Sequence, residues 1–319
     1  MTDEKTRVLI VNNDKQDLAH LTSVLEETGY IIQTATNGQE ALEKIDTTSP
    51  HLILLDLEMP MDGYETANNL RHIRKNSMIP ILFLVDPARK NGYEDISDWE
   101  ATGILRKPYY PFDVISRCKA LLNLQKYESE LEIAGQVIES LALSVEARDP
   151  TTGNHCDRLF FRLAKMADVL GLGNEVKDTL LRGAVLHDIG KIGVPDNILL
   201  KEGPLTDREW EVMRRHVTIG EALCKPLKFL NSVLPLIRHH HERFDGGGYP
   251  DGLEGNAIPL VARVFQICDI YDALTNPRPY KPAFSTEEAV RIMEHETTKG
   301  WRDPGLVDTF LRMVREESA

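Results

Sequence analysis

At 319 residues the chain is long enough for two domains, each with its own core. Its hydrophobic share of 42% beside 27% charged residues fits a globular protein in water, and no apolar run approaches the roughly 18 residues that span a bilayer. The net charge of −13 argues against a duplex nucleic-acid binder, which carries a basic stripe, yet permits a small anionic ligand because bound cations reverse a local field. The opening MTDEKTRVLIV has no charged-then-apolar secretory pattern, so a cytoplasmic location is expected. Cys118, Cys156, Cys224 and Cys268 show no C-x-x-C spacing, which suggests neither a disulfide framework nor a thiolate zinc site.

In chain order, Arg7–Val11 reads as a buried strand and Asp17–Thr28 as a helix. Tyr30–Ala35 is a second strand, Gly38–Ile45 a helix, and Leu52–Leu55 a third strand ending at Asp56. Ile79–Val85 and Gly103–Arg106 complete five strands, the last before Lys107-Pro108. Strands alternating with helices imply an α/β doubly wound parallel sheet covered on both faces, with ligands at the carboxyl ends of the strands. Asn12, Asn13, Asp56, Val85 and Lys107 all fall at such ends.

Residues 1–125 are read as one domain, which over about residues 5–125 resembles the receiver domain of bacterial two-component response regulators, most strongly in LILLDLEMPMDGYE and in Lys107-Pro108. The resemblance makes Asp56 the phosphoacceptor, Lys107 its phosphoryl contact, and a sensor histidine kinase the phosphodonor. Two departures weaken it. Asn12 and Asn13 stand where receivers hold Mg²⁺ with acidic residues, so Mg²⁺ affinity should fall, with Asp14 as a partial substitute. Val85 replaces a hydroxyl-bearing switch residue. A receiver fold kept for dimerisation alone is the competing reading.

From Pro111 to about Glu146 the pattern is helical. Leu124, Tyr127, Leu131, Ala134, Ile138, Leu141 and Val145 alternate steps of three and four, the spacing of a two-stranded coiled coil. Residues 126–145 are therefore expected to form a connecting helix that pairs two copies, with its last turns packing inward. The competing reading packs the whole stripe on its own domain.

Residues 146–319 show no strand alternation and read as an all-α helical bundle with one glycine-rich loop, Gly246–Gly255. Thr206 and Glu209 form the signature of a helix start. Six of the ten histidines lie between His155 and His241, too concentrated for chance packing. His187 and Asp188 are adjacent, with Lys191 expected on the same helical face. Imidazole and carboxylate suit Fe or Mn at least as well as Zn, and a paired-metal site is a standard means of cleaving phosphodiesters.

These residues resemble the HD-GYP branch of the HD metal-dependent phosphohydrolases across RDPTTGNHCDR, LLRGAVLHDIGKIGVPDNIL, LTDREWEVMRRHVTIGEAL and HHERFDGGGYPDGLEGNAIPLVARVFQICDIYDALTNPRPYK. The resemblance implies hydrolysis of cyclic di-GMP to pGpG, in some members on to GMP, by a binuclear centre and its bridging hydroxide. It implies His155, His187, Asp188 and Asp269 around one ion, with Asp188 bridging to a second held by His216, His240 and His241. His239 is then only a neighbour, and Lys191 matches a catalytic lysine, acting with Asp188. Thr151 stands where some members carry a third-metal Glu, so two ions are expected, although Glu146 and Asp149 are nearby carboxylates. Tyr249, Arg278 and Lys281 are the implied substrate contacts, and Tyr271-Asp272 the implied support for the ligands. The alternative function is a catalytically weak dinucleotide-binding or interaction module that signals by conformation; another cyclic dinucleotide as substrate is a further alternative.

Overall fold

The computed structural model describes residues 5–59, 63–73, 79–88, 103–148, 155–277 and 282–318. The chain divides into two compact units, Met1–Ile133 and Ala134–Ala319.

In the first unit, β1 (Arg7–Val11), β2 (Ile31–Ala35), β3 (Leu52–Asp56), β4 (Ile81–Val85) and β5 (Gly103–Arg106) form one parallel sheet in the order β2-β1-β3-β4-β5. Parallel pairs need crossover connections, and α1 (Lys15–Glu26), α2 (Gly38–Thr48) and α3 (Gly63–Ile73) provide the three that lead to β4, while most of the link from β4 to β5 lies outside the described residues. Because side chains alternate across a strand, Val8, Ile10, Leu52, Leu54, Leu82 and Leu84 share one face. They pack under Leu21 and Leu25 of α1 and under Val114 and Cys118 at the start of α4 (Pro111–Glu146). Leu9, Val11, Ile53, Leu55, Phe83 and Val85 meet Ala41 and Ile45 of α2 and Ala67 of α3 on the other face. Burial on both faces explains why these strands are unbroken apolar runs rather than alternating ones.

Element ends differ from the sequence reading for local reasons. Asp14 caps α1 by accepting from the N–H of Gln16 and Asp17, so the helix starts at Lys15 rather than Asp17. Helix α2 runs past Ile45 to Thr48, and Ser49 ends it in the left-handed region at φ 44°. β4 begins after Pro80, whose carbonyl accepts from Ile53 but which has no N–H to return. The crossovers diverge between β1 and β3, so Asn12 and Asp56 meet at the sheet's switch point.

In the second unit, α5 (His155–Val169), α6 (Asn174–Leu186), α11 (Leu260–Thr275), α12 (Thr286–Thr298) and α13 (Pro304–Ser318) enclose the main core. Leu159, Leu163, Leu180, Phe265, Met293 and Phe310 fill it. A smaller core joins Ala142 of α4 to Leu186, Ile189, Cys224 and Ile237.

Along helix α4 the apolar stripe read in the sequence is divided between exposed and inward-facing residues. Leu124, Tyr127 and Leu131 are 47, 64 and 52% exposed, whereas the inward face near its end consists of Ile138, Ala142 and Val145. Leu141, expected on the seam, is solvent-facing. A straight α-helix drifts by about 20° per heptad against a 3.5-residue repeat, so one stripe becomes divided between two surfaces. Among the described residues, no helix is long and apolar enough to cross a membrane.

Candidate metal centre

Helix α6 stops at Leu186, His187 caps it, and residues Ile189–Gly193 continue as a 3₁₀ turn. This corrects the expectation that His187 and Lys191 share an α-helical face. With three residues per turn, positions i and i+3 eclipse, and the Lys191 ammonium lies 2.7 Å from Asp188 Oδ2. Gly190 lies where the turn presses on α9 (His216–Cys224): a Cβ there would sit 1.8 Å from the His216 carbonyl oxygen and 2.5 Å from Gly220 N. The missing side chain thus sets how closely His216 approaches Asp188. His240 and His241 follow the last turn of α10 (Leu234–His239), and α11 carries Asp269 and Asp272. Phe265, one turn before Asp269, packs against the rings of His187 and His240 at 4.8 and 5.9 Å.

Two groups result, each with donor atoms within 4.8 Å of one another: Asp188, His216, His240 and His241, and His155, His187 and Asp269. Asp188 faces both. Its Oδ1 lies 3.3 Å from His216 Nε2 and 4.0 Å from His240 Nε2, and its Oδ2 lies 3.3 Å from His187 Nε2.

The hydrogen bonds reveal what the site is built for. His216 Nδ1 faces the Met213 carbonyl at 2.7 Å and His240 Nδ1 the Ile237 carbonyl at 2.9 Å. A carbonyl only accepts, so each Nδ1 carries the proton and each Nε2 presents a lone pair. Both Nε2 atoms are buried without a hydrogen-bond partner and point toward a carboxylate oxygen. Electron-rich atoms so placed repel one another unless a cation lies between them, and the donor set therefore fits divalent ions.

The electrostatics agree for His216, His240 and His241, whereas at His187 burial is outweighed by the Asp188 carboxylate and the pKa is raised. Burial lowers the pKa of His216, and burial with the neighbouring histidines holds His240 well below the usual range. His241 is pulled down to about 3, chiefly by burial. Neutral imidazoles are what a metal needs. Burial alone would raise the Asp188 carboxyl, but Lys191 and His187 hold it well below ordinary carboxylates. A cavity of about 280 Å³ opens onto both groups, and Tyr249, Trp210 and Met213 line it beyond the histidines.

Surrounding residues fix these side chains. His155 Nδ1 lies 2.7 Å from Asp272 Oδ2 and its Nε2 3.4 Å from Asp269. Asp272 also accepts from Arg158 Nε at 2.7 Å, Arg158 Nη2 at 2.9 Å and Asn276 Nδ2 at 3.0 Å. Asp272 thus orients His155, as carboxylates do for metal-bound histidines. Asp272→Asn is expected to lower metal affinity about 10- to 100-fold, measured by competition with a chelating dye; unchanged affinity would end this assignment. Tyr271, paired with Asp272 in the sequence reading, instead packs edge-on to Phe310 in the core.

The glycine-rich loop is held by Glu242. Its fully buried carboxylate accepts the backbone N–H of Asp251, Gly252 and Leu253 at 2.7, 3.1 and 3.1 Å. Gln266 donates to the carbonyls of His240 and Glu242 from below. A Cβ on Gly248 would meet Arg243 N at 2.2 Å, so the loop backbone lies directly on the histidine segment. Tyr249 consequently stacks on His241, centroids 4.9 Å apart and planes 26° from parallel. His239 turns away, to the Pro235 carbonyl and Asp251.

The sequence reading missed Arg158, Glu242 and Gln266. Glu242 alone left a signal, a carboxylate directly after the histidine pair. Glu146 accepts from the Cys156 thiol at 2.5 Å. Arg278, Lys281, Asp149 and Thr151 lie outside the described residues.

A second polar site lies at the switch point of the first unit. Asp56 is buried and accepts from Asn12 Nδ2 at 2.8 Å, Lys107 Nζ at 3.2 Å and Glu58 N at 2.8 Å. Asp14 is occupied as the cap of α1, and Asn13 is exposed. The acid that reaches this site is Asp17, 2.8 Å from Lys107, a correction to the substitute role read for Asp14. Val85 is buried in the sheet.

The family model for the response regulator receiver domain matches residues 8–119, and that for the HD domain matches 139–306. A Vibrio cholerae protein named "Probable cyclic di-GMP phosphodiesterase" is 37% identical over 95% of this chain and 77% of its own length. The "Cyclic di-GMP phosphodiesterase response regulator RpfG" of Xanthomonas campestris is 33% identical over 96% of this chain and 87% of its own. A further Vibrio cholerae relative, "3'3'-cGAMP-specific phosphodiesterase 2", is 38% identical over 56% of this chain and 35% of its own.

Proposed function

Since the chain belongs to the response regulators that join a receiver domain to an HD domain of the cyclic di-GMP phosphodiesterase type, we propose that it cleaves cyclic di-GMP to pGpG with two divalent ions. His155, His187 and Asp269 would hold one ion and His216, His240 and His241 the other, with Asp188 shared. The observation that carries this reading is Asp188, whose two oxygens face the two groups. The ions, when bound, supply Lewis acidity and activate water. Iron or manganese suits the thiolate-free ligand set at least as well as zinc.

The chain's own residues do the rest. Lys191 lies 2.7 Å from Asp188 Oδ2 and is placed to neutralise charge or to protonate the departing ribose oxygen. Tyr249, fixed by stacking on His241, forms one wall of the cavity. Protein purified without oxygen is the material for the test, with metal content and cyclic di-GMP turnover measured on one sample. About two ions per chain with pGpG appearing supports the reading. Full occupancy without turnover in Fe, Mn and Zn forms replaces it with a binding module. The relative named for 3'3'-cGAMP favours a second reading, another cyclic dinucleotide as substrate, decided by comparing rates across both.

We further propose a homodimer through the exposed Leu124, Tyr127 and Leu131, a sensor histidine kinase as phosphodonor to Asp56, and a cytoplasmic location. With Asn12 giving a neutral amide to Asp56, receiver loading requires more Mg²⁺ than a carboxylate would. Asn12→Asp is expected to lower the Mg²⁺ concentration needed for beryllofluoride binding by about tenfold, roughly 1.4 kcal/mol, measured by calorimetry. An unchanged requirement would remove Asn12 from the site's metal economy.

A further inference from the structure

We propose that Trp210, on the wall of the metal cavity, and Arg214, one turn further along α8 (Asp207–Arg214) and over the Trp210 and Tyr249 rings, form a platform for a purine base. The proposal rests on the cyclic dinucleotide reading and adds to it where one base of that ligand sits.

Helix α8 contributes no buried residue to any core, yet it carries a tryptophan. Trp210 is 43% exposed and lines the same cavity as His187, Asp188 and Lys191. A large aromatic that the core does not use, lining the same cavity as the His/Asp groups, has the placement of a stacking surface. The Arg214 guanidinium lies over two rings, 5.3 Å from the Tyr249 centroid and 6.0 Å from the Trp210 centroid. Among the described residues no carboxylate pairs with Arg214. An unpaired guanidinium between two aromatic faces can reach the O6 and N7 edge of guanine or a second phosphate while a base stacks beside it. Leu205 and Met213 extend the wall with apolar surface. The cavity wall thus offers polar groups suited to the phosphodiester and aromatic ones suited to the base. In a cyclic dinucleotide these two moieties are covalently joined.

The helix is positioned for this role independently of the core. Thr206 Oγ1 accepts from Glu209 N and the Glu209 carboxylate accepts from Thr206 N, a reciprocal cap at the start of α8. Lys201 anchors Glu209 at 2.5 Å.

Stacking on an aromatic away from the reacting phosphorus strengthens ground state and transition state alike, so it changes KM more than kcat. Trp210→Ala is expected to raise both KM and the calorimetric Kd for cyclic di-GMP by about 5- to 100-fold, with kcat within about threefold of the wild type. Trp210→Phe should recover most of that affinity and Trp210→Leu little, because the ring rather than bulk is at issue. Arg214→Ala should weaken binding less. Metal content, measured on each variant, should stay at the wild-type level. Wild-type affinity in Trp210→Ala, or equal recovery by Phe and Leu, overturns the platform while leaving the phosphodiesterase reading intact. Wild-type protein that binds cyclic di-GMP without cleaving it overturns that reading instead, and the Kd series still decides the platform. Wild-type protein that does not bind cyclic di-GMP overturns both.

Discussion

Asp188→Asn is expected to reduce cyclic di-GMP turnover on the order of 10³-fold or more and to leave fewer than two ions per chain. The amide keeps the shape of the side chain and loses the charge that both groups share. One oxygen would become an NH₂ donor, facing either the Nε2 atoms of His216 and His240 or Lys191 and His187. A donor facing a lone pair can form a hydrogen bond, so the variant should fold while its ligand groups no longer attract a cation. Turnover should fall together with metal content, determined by elemental analysis of the same preparation. Near wild-type turnover with two ions bound would show that Asp188 is not shared.

Gly190→Ala carries the second largest effect, although this residue touches neither metal nor substrate. A methyl group 1.8 Å from the His216 carbonyl oxygen and 2.5 Å from Gly220 N must push backbone away from backbone, which no rotamer change relieves. Overpacking against backbone is expected to cost about 3 kcal/mol or more. For a domain of this size that lowers the unfolding midpoint by about 6–12 °C. The shift should be accompanied by weaker metal binding, because the displaced element begins with His216. Calorimetric scans with and without added metal would check both. An unchanged midpoint would mean that the 3₁₀ turn can move away freely, and would remove Gly190 as the element that sets the ligand spacing.

Much of the fold was legible because its causes are local. Runs such as LILL and ILFLV are apolar without alternation only when both faces are covered, so five parallel strands could be read directly. The histidines were legible because they are rare and concentrated. What escaped reading depends on partners far apart in sequence. Arg158 and Asp272 are 114 positions apart, and nothing in either segment announces their bidentate pairing. Gln266 reaches the His240 carbonyl across 26 positions. Asp14 and Asp17 both lie near the first strand, and only the direction of α1 decides that the first caps a helix and the second meets Lys107. The exposure of Leu141 and burial of Ala142 follow from helix rotation against a second core, which heptad spacing does not encode.

The Glu242 carboxylate, satisfied by three backbone N–H groups, has a kinetic consequence. A loop with glycines at positive φ at 246, 252 and 255 would ordinarily sample many shapes, and an arriving ligand would have to wait for the competent one. Here the segment is tied to the protein's own anion before any ligand arrives, so binding carries no toll for ordering it. The encounter rate should then depend on diffusion through the field of an acidic protein. For an anionic ligand approaching a chain of net charge −13, that field is repulsive at long range, and association should quicken as ionic strength rises.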